Sequence, residues 1–178
     1  MLAYLNNFDI LENERGRKIN IDRISRLDWT ALKNQVKKSG IRNSNLMAIA
    51  PTATIANISG VFPCTEPAYK NLYMKENLSG NFLVTNRYLT DELDKLGLWT
   101  PDMVKKLKLY DGCLKEILEI PEPIRNRFKE TFEIGMDWLL KASAKRMKWI
   151  DQSASTNIFL KTQSGKVLSE TYMMAWEL

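Results

Sequence analysis

The residues Pro51-Thr52-Ala53-Thr54-Ile55 have the types and the spacing to hold an anion. Pro51 stops an extended run, and Thr52 and Thr54 are good helix N-caps. Ile55, Ala56 and Ile58 then supply a short apolar turn before Gly60 ends it. The first turn of a helix leaves backbone N–H groups unpaired, and aligned peptide dipoles add partial positive charge there, so a phosphate can be held. Small residues let the anion approach, and the threonine hydroxyls add donors. Strand-to-helix turns with threonine caps also occur throughout α/β proteins with no ligand, so the pattern alone leaves both readings open. It is not a P-loop, because it has no glycine-rich run and no Gly-Lys-Ser/Thr ending.

Other chemistry is excluded by what the chain lacks. It has no histidine, which removes Ser-His-Asp and Cys-His nucleophile systems and histidine-ligated metal sites. Cys64 and Cys113 are far apart in sequence with no CxxC spacing, so they suggest neither a disulfide framework nor a zinc site and are expected to be reduced thiols. No sequence neighbour of Cys64 would lower its pKa, so it is not assigned as a nucleophile. Glu66 is expected to be a structural carboxylate.

The elements around the turn follow from pattern. Leu46 to Ala50 is an unbroken apolar run too short for a helix, and it reads as a strand covered on both faces, as in parallel sheets. Before it, Asp28 caps a helix running to Lys38, with Trp29, Leu32 and Val36 on one face and Gly40 as its stop. Helix, buried strand and helix in succession are the grammar of an α/β sheet. The segment from Val61 to Pro67 carries two prolines and is expected to be neither regular helix nor central strand.

Further on, Tyr69 to Val84 suggests an extended excursion or hairpin around Ser79-Gly80-Asn81, with aromatics read as packing rather than base stacking. Helices are expected from Tyr88 to Gly97, from Thr100-Pro101-Asp102 to Asp111-Gly112, through Ile124, Phe128 and Phe132, and from about Asp137 through Met147. Ser164-Gly165-Lys166 turns into a last helix with Leu168, Tyr172 and Trp176. The first 24 residues read as a mixed and then polar stretch in which Ile19, Ile21 and Ile24 pack against the next helix. The helices between the two motif blocks are given packing roles only.

Two blocks carry a resemblance. Arg42-Asn43-Ser44-Asn45, Met47 to Ile55 and Gly60-Val61-Phe62-Pro63-Cys64-Thr65-Glu66-Pro67 form the first. Trp149-Ile150-Asp151-Gln152-Ser153-Ala154-Ser155-Thr156-Asn157 forms the second, followed by Ser164-Gly165-Lys166 and Tyr172 to Trp176. In this order and over nearly the whole chain they resemble the large (alpha) subunit of class I ribonucleotide reductase. Family members more often carry Gln-Ser-Leu-Asn where this chain has Ala154 to Asn157. Many have Ser or Thr at Ile55, which removes a hydroxyl donor and leaves the amide.

The resemblance implies an α/β fold: a helix-rich partial ten-stranded α/β barrel containing only its late strands and helices. Residues 1–178 would be a single segment of the catalytic barrel domain, with Met1 an artificial or secondary start and Leu178 a cut. It implies that Thr52, Ala53, Thr54 and Ile55 bind the diphosphate of a ribonucleoside diphosphate through their amides, with threonine hydroxyls as secondary donors. No catalytic residue and no metal ligand is assigned in this chain, and no cofactor is expected on it. The thiyl-radical cysteine, the reducing cysteine pair and the assisting Asn and Glu would lie upstream, and a radical-relaying tyrosine pair and tail cysteines downstream. The partners implied are the remainder of the alpha chain, a metal-containing, radical-generating small (beta) subunit, and nucleotide effectors bound elsewhere. The full enzyme would be a thioredoxin- or glutaredoxin-dependent ribonucleoside-diphosphate reductase supplying deoxyribonucleotides for DNA replication, with this piece inactive alone. One part of a split reductase and a free-standing phosphate-binding module are the competing readings.

Composition bounds the rest. The 178 residues are 44% hydrophobic, enough for one domain with its own core. No apolar run approaches the ~20 residues that span a bilayer, and Met1 to Leu5 gives way at once to Asn6-Asn7 rather than a secretory signal, so a cytoplasmic setting without membrane is expected. The net charge of +5 comes from lysines and arginines interspersed with acids, which reads as a solvated surface with no nucleic-acid partner. A basic nucleic-acid binder ranks third, behind the split reductase and the phosphate-binding module, and would lose affinity steeply with salt.

Overall fold

The computed structural model describes residues 8–20, 23–24 and 26–178. The chain divides into two compact units, residues 65–135 and the segments on either side of them.

The flanking unit holds α1 (Phe8–Arg15), α2 (Trp29–Ser39), α3 (Ala53–Ser59), α7 (Met136–Met147) and α8 (Gly165–Glu177). α2 starts as its residues dictate: the Asp28 side chain accepts from the amides of Thr30 and Ala31, and Gly40 ends it at φ 74°. No residue of α2 is buried, and Leu32 is 41% exposed. Trp29 meets Trp149 at a ring-centroid distance of 6.4 Å. α1 is absent from the sequence expectations, because its polar run Glu12-Asn13-Glu14-Arg15 hides a buried Phe8 at its start. Glu12 accepts from the Ile19 amide and pairs with Arg23, while Arg17 pairs with Glu177 at 2.9 Å and Arg15 donates to the Trp176 carbonyl. Ile19 is buried and Ile24 is 76% exposed; Ile21 lies outside the described residues.

Leu46 to Ala50 departs from expectation. The run is extended, but its pairing is a single parallel bridge, Ile49 with Ala154, and Leu46 and Met47 are 49% and 52% exposed. A parallel strand is buried only when elements cover both its faces. Among the described residues only the segment 151–155 pairs with this run.

The central unit, residues 65–135, contains β1 (Leu72–Asn77), β2 (Gly80–Thr85), α4 (Arg87–Lys95), α5 (Pro101–Leu109) and α6 (Glu122–Arg127), followed by a 3-10 turn, Thr131–Glu133. β1 and β2 form a two-stranded antiparallel sheet with Leu72 opposite Thr85 and Asn77 opposite Gly80. Leu78-Ser79 makes the two-residue turn and Gly80 takes φ 132°. Tyr69 packs edge-on against Phe132 at 5.6 Å, the packing role expected of it.

The core of this unit is built at helical spacing. Leu89 and Leu93 of α4, and Met103 and Leu107 of α5, lie four residues apart and point inward onto Leu114, Ile117 and Ile120 of the irregular linker. Thr100 caps α5 by accepting from the Met103 amide, with Pro101 in the first turn. α6 stops at Arg127 rather than continuing through Phe132. Glu130, 4% exposed, instead opens a capping box with Glu133 and accepts from the Asn71 amide at 2.8 Å. The Asn71 side chain donates to the carbonyls of Gly112 and Phe128 and accepts from Asn86, tying the hairpin to the helices. Gly112 sits at φ 86°, where a Cβ would lie 2.5 Å from Glu130 Oε1 and 2.9 Å from the Leu72 amide nitrogen. Only glycine fits there.

Candidate functional site

The turn is positioned from both sides. Upstream, Ile49 donates to the Ser153 carbonyl at 3.2 Å and accepts from the Ser155 amide at 2.8 Å, the two-bond pattern of a parallel pair centred on Ala154. The Met47 carbonyl accepts from the amides of Asp151 and Gln152. Asp151 completes the pairing: Oδ2 accepts from the Leu46 amide at 2.8 Å and Oδ1 from the Met47 amide at 2.7 Å. The Met47 amide first, against a push from burial and with help from the Leu46 amide, holds the Asp151 carboxyl below the usual aspartate range. From residue types the 151–157 block reads either as a polar rim of a barrel mouth or as a turn-rich loop. A carboxylate heading it is visible in the sequence, but its partners stand 104 and 105 residues away.

Downstream, Pro51 leads into α3 with Thr52 as N-cap. Thr52 does not cap in the expected way. Its hydroxyl donates to the Pro63 carbonyl at 2.8 Å and its amide donates to the same oxygen at 3.3 Å, with no side-chain bond into the helix. Gly60, left-handed at φ 66°, closes the other end, and the Val61 amide reaches back to the Ala56 carbonyl. The stretch from Thr52 to Pro63 is thus a closed loop around one helix, with Ala56 as its buried contact. The Val61 to Pro67 segment is irregular, as its prolines require, and Glu66 within it is buried.

This leaves the expected site residues in two classes. Ala53, Thr54 and Ile55 are exposed first-turn residues, and the first helical bond runs from the Ala56 amide to the Thr52 carbonyl. Their own amides have no hydrogen-bond partner among the described residues. Thr52 is the anchor, with both its donors turned to Pro63. A shallow cleft lies beside the turn, lined by Ala48 to Pro51 and Gln152 to Ser155.

Cys113 is half-buried with its Sγ 3.4 Å from Glu133 Oε1; burial first, and the neighbouring carboxylates after it, push the thiol up. Among the described residues no three His, Cys, Asp or Glu side chains gather as metal ligands. Among them, too, no helix is long and apolar enough to cross a membrane.

An extended segment paired in parallel that passes through a tight turn into a helix is the βα unit of α/β proteins, in which ligands collect beyond the carboxyl ends of strands. The family model for the ribonucleotide reductase barrel domain matches residues 3–178. The chain is 44% identical over 177 residues to the ribonucleoside-diphosphate reductase subunit alpha of Chlamydia trachomatis, covering 99% of this chain and 17% of that one. It is 39% identical to the large subunit from Trypanosoma brucei brucei, covering 96% of this chain and 21% of the relative. Among solved structures it is similar to the Actinobacillus ureae class Id ribonucleotide reductase alpha subunit, with a TM-score of 0.67 and 25% identity over 98% of this chain and 32% of that one. The chain belongs to the ribonucleotide reductase family, as a barrel-domain segment of helices with a small two-stranded sheet. These likenesses favour that family over a free-standing phosphate-binding module. The chain spans about a fifth of the length of these two curated relatives.

Proposed function

We propose that this chain forms the late part of a ten-stranded catalytic α/β barrel in a ribonucleoside-diphosphate reductase alpha subunit, where the first turn of α3 grips the substrate's diphosphate. The observation that carries the reading is the set of exposed, unbonded amides at Ala53, Thr54 and Ile55, at the end of a parallel-paired segment. A diphosphate placed there accepts charge-assisted hydrogen bonds worth about 1.5–3 kcal/mol each, aided by the helix dipole. Thr54 adds a hydroxyl, and Thr52 holds the turn shut through Pro63. Fixing the diphosphate orients the ribose toward reacting groups supplied by the rest of the alpha chain, so this segment's contribution is binding and orientation.

In this reading the radical originates on a metal-containing small (beta) subunit, and nucleotide effectors bind other parts of the alpha chain. The sequence has no histidine, and among the described residues no three His, Cys, Asp or Glu side chains gather that could hold such a metal. The test is hydrogen exchange on the full-length alpha chain with and without a nucleoside diphosphate. Added protection at Ala53, Thr54 and Ile55, with little at Thr52, whose amide already bonds Pro63, is expected. Protection elsewhere in the chain but none at this turn would remove the assignment.

A further inference from the structure

We propose that Asp151 is a positioning residue for the phosphate turn, holding the segment before Pro51 in the register that aims α3. This rests on the proposed function and extends it to a residue outside the turn. The carboxylate takes one amide on each oxygen, Leu46 on Oδ2 and Met47 on Oδ1, at 2.8 and 2.7 Å. Those residues open the only run that connects the second block to Pro51 through continuous pairing among the described residues, ending in the Ile49–Ala154 bridge.

The geometry explains why a charged side chain serves here. Leu46 and Met47 precede the bridge, and their amides have no acceptor but the Asp151 carboxylate among the described residues. A regular parallel neighbour bonds only alternate residues of a strand, so it could not accept from the amides of two consecutive residues. One carboxylate instead offers both acceptors at a single point, which sets the register to within one residue. A slip of one residue would move Pro51, and with it the amides of α3, by about 3.3 Å. Misplacement on the order of 1 Å already weakens a preorganised site. The Asp151 backbone amide donates in return to the Met47 carbonyl, so side chain and main chain of one residue grip the same two-residue stretch.

The test uses the full-length alpha chain assembled with its small subunit. Asp151→Asn presents one oxygen and one NH2 group to two amide donors, so one donor loses its acceptor. The expected result is a KM for nucleoside diphosphate raised about tenfold or more, with kcat changed less than about threefold. Asp151→Glu keeps both oxygens and is expected to recover most of that loss. An unchanged KM in Asp151→Asn, or equal falls in active fraction and kcat at constant KM, would overturn the proposal. So would failure of both variants to fold, since a partly exposed residue that only positions a turn is dispensable for folding. Ala53→Glu, measured alongside, separates the two readings. If it raises KM and Asp151→Asn does not, the positioning role falls and the phosphate turn stands; if it leaves KM unchanged, the phosphate turn itself falls, and this proposal with it.

Discussion

Ala53→Glu puts a carboxylate at the first position of α3, on an exposed residue, beside the amides proposed to hold the diphosphate. Its effects on binding and on stability have opposite signs. For binding, two unit charges about 6 Å apart repel by ~0.7 kcal/mol in bulk water and by about 3 kcal/mol at an effective dielectric of 20. The diphosphate carries more than one charge, so the penalty falls at about 1–3 kcal/mol, or roughly 5- to 150-fold in KM. For stability, α3 has no acidic residue in its first turn, and adding one there favours the helix dipole by about 0.3–1 kcal/mol. The assay is steady-state kinetics of the assembled enzyme at low and high ionic strength, with the thermal midpoint measured in parallel. KM is expected to rise, less so at high salt, while the midpoint holds or increases. A rise in KM accompanied by a lowered midpoint would mean that the substitution damages the fold, and an unchanged KM at low salt would mean that no anion sits at this turn.

Two predictions concern the central unit. Gly112→Ala forces a Cβ against Glu130 Oε1 and the backbone of Leu72 at a φ that disfavours side chains, and is expected to cost about 3 kcal/mol, read as lost exchange protection at Leu89 and Leu93; a loss below about 1 kcal/mol would show that the hairpin and Glu130 yield easily. Burial, opposed by the Asn71 amide and Lys70, raises the Glu130 carboxyl above 4.5, so the folded chain holds this proton more tightly than the unfolded one. Its contribution therefore diminishes as pH rises from 4.5 through the raised value. Glu130→Gln keeps an oxygen for Asn71 and is expected to flatten that part of the pH profile of protection; an unaltered slope would assign it to other groups.

Much of the framework was legible because its signals span only a few residues. Asp28, Thr100, Gly40 and Gly97 mark helix ends by their own backbone and side-chain preferences, and Ser79-Gly80 marks the hairpin. Leu89 with Leu93, and Met103 with Leu107, show their buried face by spacing alone. α1 was missed because a polar face dominates eight residues, and α6 was overextended because apolar spacing at Phe128 and Phe132 says nothing about the Asn71 amide that claims Glu130.

The sequence by itself determined the family and the order of apolar run, turn and helix, since these depend on residue types in unbroken stretches. Tertiary structure alone decided that Leu46 and Met47 stay exposed, that Thr52 donates to the Pro63 carbonyl, and that Asp151 accepts from the Leu46 and Met47 amides. The physical reason is range: a hydrogen bond between residues 104 apart leaves no periodicity, and burial depends on which elements arrive to cover a face.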